Sequence, residues 1–413
     1  MNPRTPIEQL LRVAASLAPP FVLLEDGLGS GTSVLAWGAR ERLRLGWDAA
    51  ALGSLERFTP GDGWIGALGY DLGLPPKAMR RDAVLAQPVV DLFRPVNRIT
   101  LRPQIAAECA GPDAAAAWEA ALGHGALGPP VSGAAPAPAG VPRRSFTQAG
   151  FEDAVRRALE HIRAGDIYQV NLSVAERVAL REPPFAVYRR LRAINPSPWM
   201  GYADFGDWQL VCGSPELLVE VADGAAHAKP IAGTRKKTGD PAADAAMRRE
   251  LVTDAKEAAE HVMLVDLARN DLGRIARYGT VRVAELGSVE EYSHVMHLVS
   301  DVRGTLAPGI GPWEVFRAMF PGGTITGCPK IRSMEIIADL EPVARGMYTG
   351  ALGWWDGGEG QWNILIRSAV VRDGEAVLQA GAGIVADSDP AREWKESLRK
   401  AAALRAAFVV ADT

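Results

Sequence analysis

Between Pro321 and Arg332 the sequence reads PGGTITGCPKIR, a strip of glycines, two threonine hydroxyls and two cations. Glycine lets a backbone approach a ligand closely, Thr324 and Thr326 offer hydroxyl donors, and Lys330 with Arg332 favours an anion nearby. The ligand this implies is small, oxygenated and anionic. A glycine turn leading into a helix over Ile331–Leu340 would be spelled in much the same way. Glu257 and Glu260 are three apart in a long helical pattern and so share a face, and Glu393, Glu396 and Lys400 are spaced by three and four near the end of the chain. Solvated helix faces look like this too. If Glu260 and Glu396 converge, they suit Mg²⁺, a hard cation that prefers carboxylate oxygens and keeps waters for a substrate carboxylate to replace.

Other residues extend the set. In CGSPELLVEV, Glu216 follows a Ser-Pro turn just before an apolar strand, where a partly buried carboxyl has a raised pKa and can serve as a general acid; a capping carboxylate is the alternative. HAKPIAGTRKK places Gly233 and Thr234 in a tight turn beside Arg235, Lys236 and Lys237. HVMHL carries His294 and His297, whose gap does not fit a helical zinc motif. Arg367 ends the apolar run NILIR, where a guanidinium can clamp a carboxylate through two parallel hydrogen bonds. GAGIVADS, starting at Gly381, is another close-approach turn, and it lacks the G-x-G-x-x-G pattern of dinucleotide sites.

These residues need a large frame to hold them. The 413 residues suffice for two or three ordinary domains or one large two-lobed domain. With 45 basic against 49 acidic residues the net charge is −4, and no long run of one sign is present to track nucleic acid or an anionic membrane. No segment gives the uncharged stretch of a membrane span, and Cys109, Cys212 and Cys328 stand far apart without a C-x-x-C spacing. A soluble cytoplasmic protein is the expectation. Gly123–Arg144 is a Gly/Ala/Pro-rich linker between an N-terminal α+β region, residues 1–122, and a catalytic domain, residues 145–413.

Strands are expected over Phe21–Glu25, Trp64–Tyr70, Ile167–Val174, Gln209–Val221, Thr280–Leu286, His294–Val302, Gly350–Trp355, Asn363–Val371 and Ala376–Ala380. Helices are expected from a Ser145 or Thr147 cap to Ala164, from Ala243 to Tyr278 with a break near Asn270–Gly273, over Pro312–Met319 and Ile331–Leu340, and from Pro390 onward. Strands joined by short turns, with long helices between groups of them, predict an α+β fold.

Taken together, AGDIYQVNLS, GSPELL, PIAGTR, EHVMLVDLARNDLG, HVMHLVSDV, PGGTITGCPK, IR and GAGIVADS resemble, in order, the motifs of the chorismate-utilising family. That family includes anthranilate synthase component I, aminodeoxychorismate synthase component I, and the isochorismate and salicylate synthases. The match covers Phe151 to Ala406, and LLEDGL and GDGWIGALGYDLG extend it weakly into the N-terminal region. The resemblance implies mostly antiparallel sheets packed in a sandwich with helices outside. It also implies that Glu260 and Glu396 hold Mg²⁺, with Glu257 and Glu393 supporting through water, and that Glu216 is the acid for the departing C4 hydroxyl. His297, Thr234 and Thr324 would surround the ring, while Tyr348, Arg367, Lys400 and the run Gly381, Ala382, Gly383 would hold the carboxylates.

Where isochorismate and salicylate synthases carry a water-activating lysine, this chain has Gln169, a poor general base, which favours ammonia as nucleophile. YQVNLS and PGGTITG resemble aminodeoxychorismate synthase, an enzyme of 4-aminobenzoate and folate biosynthesis. Ala232 in PIAGT stands where some of those enzymes have a lysine that adds to the ring, so the group added at C2 becomes ammonia, water or a nearby lysine such as Lys229. Anthranilate synthase is the alternative, and a noncatalytic chorismate- or tryptophan-binding regulator is a reading of another class. Asp26 replaces the serine that helps anthranilate synthases hold tryptophan, although SPWM at Ser197–Met200 resembles the other half of that pocket. None of the three cysteines has a glutaminase context, so ammonia is expected from a separate glutamine amidotransferase subunit or from solution at high pH.

Overall fold

The computed structural model of the chain describes residues 6–28, 31–46, 63–74, 87–103, 107–122, 140–291 and 295–410. His294 and most of the expected linker, residues 123–139, lie outside the described residues. Nineteen strands are described, and every pairing between them is antiparallel. One half of the sheet runs, in spatial order, through β13 (Arg282–Glu291), β14 (Val295–Thr305), β11 (Ala225–Ala228), β10 (Leu217–Ala222), β17 (Glu359–Ile364), β16 (Ala351–Asp356), β3 (Trp64–Leu68) and β4 (Val90–Leu101). β12 (Ile231–Lys236) also pairs with β14, and β5 (Glu108–Ala110) with β4. The other half continues from β4 through β2 (Ser33–Leu45), β1 (Phe21–Glu25), β8 (Trp199–Asp204), β9 (Gln209–Ser214), β18 (Ser368–Arg372), β19 (Glu375–Ile384) and β7 (Gln169–Ala179). Short β6 (Arg143–Arg144) and β15 (Gly327–Cys328) complete it on β7.

The sheet folds over on itself, and its halves meet across an apolar layer that includes Val22, Ala36, Ile65, Phe93, Trp208 and Leu352. Helices cover the outer faces. α6 (Ala255–Gly273) and α7 (Pro312–Met319) pack Val265, Leu272 and Phe316 onto β10, β11 and β17, and α5 (Pro241–Thr253) sets Leu251 against Met296 and Leu298. α1 (Pro6–Ser16), α2 (Ala114–Leu122) and α4 (Pro184–Ile194) cover the opposite layer together with the end of α9 (Pro390–Ala407). α3 (Gln148–Arg163) and α8 (Lys330–Leu340) cover β7 and β19. Each fully buried Leu, Val or Phe in these clusters contributes about 1.5–3 kcal/mol of transfer free energy, and such burial, rather than helix propensity, holds the helices down. The fold is α+β, as expected. Among the described residues no helix is long and apolar enough to cross a membrane.

Local signals were read well where one residue decides. Thr147 caps α3, its Oγ1 accepting from Gly150 N at 3.1 Å, whereas Ser145 Oγ accepts from Ala175 N at 3.0 Å instead. The helical pattern from Ala243 ends at Gly273, at the expected break, and has a second, unexpected break at Asp254; Asp254 Oδ1 accepts from Glu257 N at 3.1 Å and so starts a new helix there.

Two expected strands are each interrupted, and the interruptions make the site. Gln209–Val221 divides into β9 and β10 at Pro215–Glu216, and Asn363–Val371 divides into β17 and β18 at residues 365–367. β9 pairs with β18 in one layer, and β10 with β17 in the other, so the two chains cross between layers side by side. Gly213 N donates to Arg367 O at 3.0 Å, Ile364 N to Glu216 O at 3.0 Å, and the wholly buried Ser214 Oγ to Ile364 O at 2.6 Å. Ser214→Ala should leave that carbonyl buried with one bond fewer and cost about 1–3 kcal/mol. Urea unfolding measures it, and an unchanged midpoint would remove this hydroxyl from the crossing.

Candidate active site

At the crossing the layers part around a cavity of about 390 Å³, a volume suited to a small polar molecule. Glu216 and Arg367 enter it from the two interruptions, His297 from β14, Thr324 from the strip, and Tyr348 from the turn before β16. Glu257 and Glu260 line it from α6, and Glu393, Glu396 and Lys400 from α9. Thr234 lies beside His297 in the backbone register of β12 and β14; its side chain is outside the described residues.

One wall is made by β7 and β19. Gln169, Asn171, Gly381 and Gly383 line the cavity, with Gly383 paired to Asn171 and Gly381 to Ser173. A Cβ at Gly381 would stand 2.4 Å from Leu172 O and 2.7 Å from Asn171 Oδ1, so that position tolerates no side chain, and one at Gly383 would stand 2.8 Å from Gln169 Nε2 and push that amide aside. Ala382, between them, points the other way by strand alternation and packs with Val170 and Leu172 under α3 and α8. Its expected place in the carboxylate site is therefore corrected: only its backbone can reach the cavity. Asn171 and Gln379 were missed from the sequence. The signal was present, because Gln169, Asn171 and Ser173 recur every second residue in an otherwise apolar strand.

The strip behaves differently from its first reading. Lys330 Nζ is held by Asp271 at 2.7 Å, and Arg332 by Asp166 at 3.1 Å and Glu335 at 3.2 Å, so both cations anchor α8 to its surroundings and neither lines the cavity. Thr326 Oγ1 donates to Gly322 O at 2.8 Å and is buried. Thr324 alone turns its hydroxyl to the chemistry, donating from Oγ1 to Glu216 Oε1 at 2.7 Å.

Burial dominates the electrostatics. It pushes the Glu216 carboxyl up to about 7, against the Thr324 hydrogen bond and the positive charges of Lys400 and Arg367. Burial pushes His297 the other way, to about 4, helped by Arg367, so the imidazole is neutral at physiological pH. His297 Nδ1 lies 3.3 Å from Gly233 O, which can only accept; the proton therefore sits on Nδ1, and Nε2 carries the lone pair. The Arg367 guanidinium is depressed by burial and raised by Glu216, and no hydrogen bond or ion pair holds it among the described residues. Its backbone sits at φ +50°, a strained conformation for a non-glycine residue. Such a cation, facing a cavity, suits a ligand carboxylate.

The four glutamates, two on α6 and two on α9, line the cavity and offer the oxygen donors a hard cation prefers. As they stand, Glu257 accepts from Arg235 Nη1 at 3.1 Å, and Glu396 pairs with Lys400 at 2.9 Å. Among the described residues no group of three carboxylate, thiol or imidazole side chains is gathered closely enough to hold an ion in this arrangement. The donor type suits a hard cation such as Mg²⁺, while Glu257 and Glu396 are engaged by Arg235 and Lys400. Ala232 lines the cavity, while Lys229 does not and pairs with Glu290 at 3.2 Å. Beside Asp26, whose Oδ1 accepts from Leu28 N at 2.9 Å, the hollow bordered by Glu25, Pro198 and Asn363 measures only about 10 Å³.

The Glu216 environment gives two predictions. Between its ordinary value of 4.5 and about 7 the folded protein retains a proton that the unfolded chain has lost, so stability falls as pH rises through that window. Glu216→Gln should therefore be more stable than the parent at pH 8, by on the order of 3 kcal/mol, with the gap closing toward pH 4.5 in urea titrations. A gap independent of pH would show that Glu216 does not titrate in this way. Thr324→Val, which removes a hydrogen bond to the carboxylate form, should raise the Glu216 pKa further, as read from the carboxyl infrared band; an unmoved or lowered value would contradict the geometry.

Comparison with known proteins agrees with this geometry. The family model described as chorismate binding enzyme matches residues 32–406. Aminodeoxychorismate synthase component 1 of Bacillus subtilis (strain 168) is 49% identical over 268 residues, 65% of this chain and 57% of that protein. Anthranilate synthase component 1 of Streptomyces coelicolor is 51% identical over 282 residues, 67% of this chain and 55% of that protein. The matched region thus spans little more than half the length of these relatives. Among solved structures, anthranilate synthase component I from Streptococcus pneumoniae TIGR4 superposes with a TM-score of 0.78 at 30% identity, covering 92% of each chain. With its cavity, its sheet and a match running through nearly the whole described chain, the protein belongs to the chorismate binding enzyme family.

Proposed function

We propose that this chain aminates chorismate with ammonia to give 4-amino-4-deoxychorismate. The observation that carries the reading is Glu216, a buried acid poised near neutrality by burial and held by Thr324 inside a cavity that also presents the Arg367 guanidinium. Arg367 and the protonated Tyr348 phenol, whose pKa burial pushes up, would orient a substrate carboxylate. Glu216 would give its proton to the C4 hydroxyl, which leaves as water as a nucleophile bonds at C2 and the ring double bonds shift; ammonia would then bond at C4 as the C2 group departs and the double bonds shift back. His297, neutral with a lone pair at Nε2, would accept a proton from the incoming ammonia. Lys229, paired with Glu290 away from the cavity, is a poor candidate for the group added at C2, which leaves ammonia or water there.

Mg²⁺ belongs to the same proposal: Glu260 and Glu396 would hold it, supported by Glu257 and Glu393. When bound, the ion would neutralise a chorismate carboxylate. Ammonia would come from a glutamine amidotransferase partner, a reading supported by the words component 1 in the names of the relatives, and the product would serve 4-aminobenzoate and folate biosynthesis in the cytoplasm.

Anthranilate synthase component I is the second reading. Ala232 in the cavity wall favours it, as does the similarity of anthranilate synthase relatives at about the same identity. Incubation with chorismate, Mg²⁺ and ammonia separates them. A product that yields 4-aminobenzoate only after a lyase is added is expected; anthranilate with pyruvate would overturn the first reading in favour of the second. Chorismate binding without any product would point to a noncatalytic regulator. Glu396→Gln should weaken Mg²⁺ binding in calorimetry by at least tenfold, on the scale of losing a metal ligand's support, while near-ultraviolet circular dichroism stays unchanged; an identical metal isotherm would remove Glu396 from the site.

A further inference from the structure

Arg345 does not line the cavity and is almost wholly buried, yet its guanidinium ties two cavity-lining segments together. Nη1 donates to Ile325 O at 2.8 Å, immediately after Thr324 in the strip, and Nη2 donates to Asn171 O at 2.8 Å on β7. The carboxylate of Glu341 accepts from Nε at 3.0 Å and from Nη2 at 2.7 Å, which fixes the plane of the fork. Glu341 Oε1 also accepts from Ser173 N at 2.9 Å and Ser173 Oγ at 2.8 Å, so the pair is anchored to β7 twice. The rings of Tyr70 and Tyr348 flank the guanidinium, with centroids at 4.8 and 5.6 Å.

The next residue is clamped as well. Gly346 N donates to Asp71 Oδ2 at 2.7 Å, and Gly346 O accepts from Tyr70 N at 2.8 Å. Gly346 has φ +59°, and a Cβ there would fall 2.2 Å from Gln87 Nε2, so the turn admits no other residue without rearrangement. Tyr70 and Asp71 thereby hold the turn at Arg345 while contributing nothing to the cavity wall.

Burying an ion pair is a weak source of stability, because desolvation offsets most of the attraction, and apolar replacements are often as stable. A guanidinium whose donors go to a carboxylate and to the backbones of separate elements does something apolar packing cannot: it sets one register between them. The later part of the strip is already fixed on β7 by the pairing of β15 and by Asn171 N donating to Thr326 O at 2.8 Å; we propose that Arg345 is a positioning residue that braces the strip at Ile325, ahead of that pairing, and so holds the Thr324 hydroxyl on Glu216. The consequence for chemistry rests on reading Glu216 as the acid of the site, whereas the geometric consequence does not.

The test therefore reads Glu216 without substrate. Its carboxyl infrared band disappears on ionisation and is assigned by its loss in Glu216→Gln; Lys400, Arg367 and Thr324 are the groups acting on it, and neither single variant at 345 or 341 changes any of them. Arg345→Lys keeps a charge against Glu341 but shortens the fork, and Glu341→Asp withdraws the carboxylate that orients it. Each should raise the Glu216 pKa in the direction of Thr324→Val, and joining either to Thr324→Val should add nothing, because the same hydrogen bond is already lost. If Arg345→Lys does not fold, Glu341→Asp carries the same comparison. An unmoved Glu216 titration in a folded variant, or a shift that adds in full to that of Thr324→Val, would overturn the proposal. Failure of the chorismate assay would leave this result standing.

Discussion

Two adjacent segments leave one layer of the sheet and enter the other at the same level, and the backbone groups freed there bond chiefly to each other. Buried amide and carbonyl groups must be paired, so Gly213 meets Arg367, Ile364 meets Glu216, and the Ser214 hydroxyl serves the same Ile364 carbonyl. Proline at 215 cannot donate to a ladder, and Arg367 adopts a left-handed backbone; both features end regular pairing where the layers must part. The side chains at the two interruptions therefore enter one space. The cavity is a consequence of the crossing, and everything else in the site is arranged around Glu216 and Arg367.

Within that space a single cause acts in opposite senses on different groups. Removal from water favours the neutral form of each titratable side chain, which raises the carboxyl of Glu216 and lowers the imidazole of His297. Arg367 lowers both. The outcome is an acid that changes charge near neutrality beside a base that stays uncharged, the division of roles that acid and base chemistry at one pH requires. Of the carboxylates that α6 and α9 bring to the cavity, Glu257 is paired with Arg235 and Glu396 with Lys400.

The N-terminal part of the chain contributes no described residue to the cavity wall, yet it is not an appendage. β1 pairs with β8 and β3 pairs with β16, so its strands are interior members of the two layers. Through Tyr70 and Asp71 it also holds the turn that carries Arg345 and Tyr348. Support for the site is spread over the length of the chain, although its chemistry comes from residue 169 onward.

Elements governed by near neighbours in sequence were legible: the Thr147 cap, the strand Phe21–Glu25 and the helix Pro312–Met319 depend on turn chemistry and periodicity within a few residues. The types of the site residues were legible too, because a Ser-Pro turn before a glutamate, an arginine closing an apolar run and paired glutamates at helical spacing keep their chemical meaning in one dimension. What tertiary structure decided was direction and partnership. The turn at Pro215 and the run ending at Arg367 were visible in sequence, yet apolar patterning carried an expected strand through each, since only the crossing between layers requires the ladders to break there. Lys330 and Arg332 looked like anion ligands, and became anchors because Asp271 and Asp166, far away in sequence, reach them first. Ala382 sits within the right motif but faces the core. Composition and spacing determine which side chains are offered and which local elements carry them. Which of those side chains share a cavity, and at what protonation, is set by burial and long-range hydrogen bonds that exist only once the layers close.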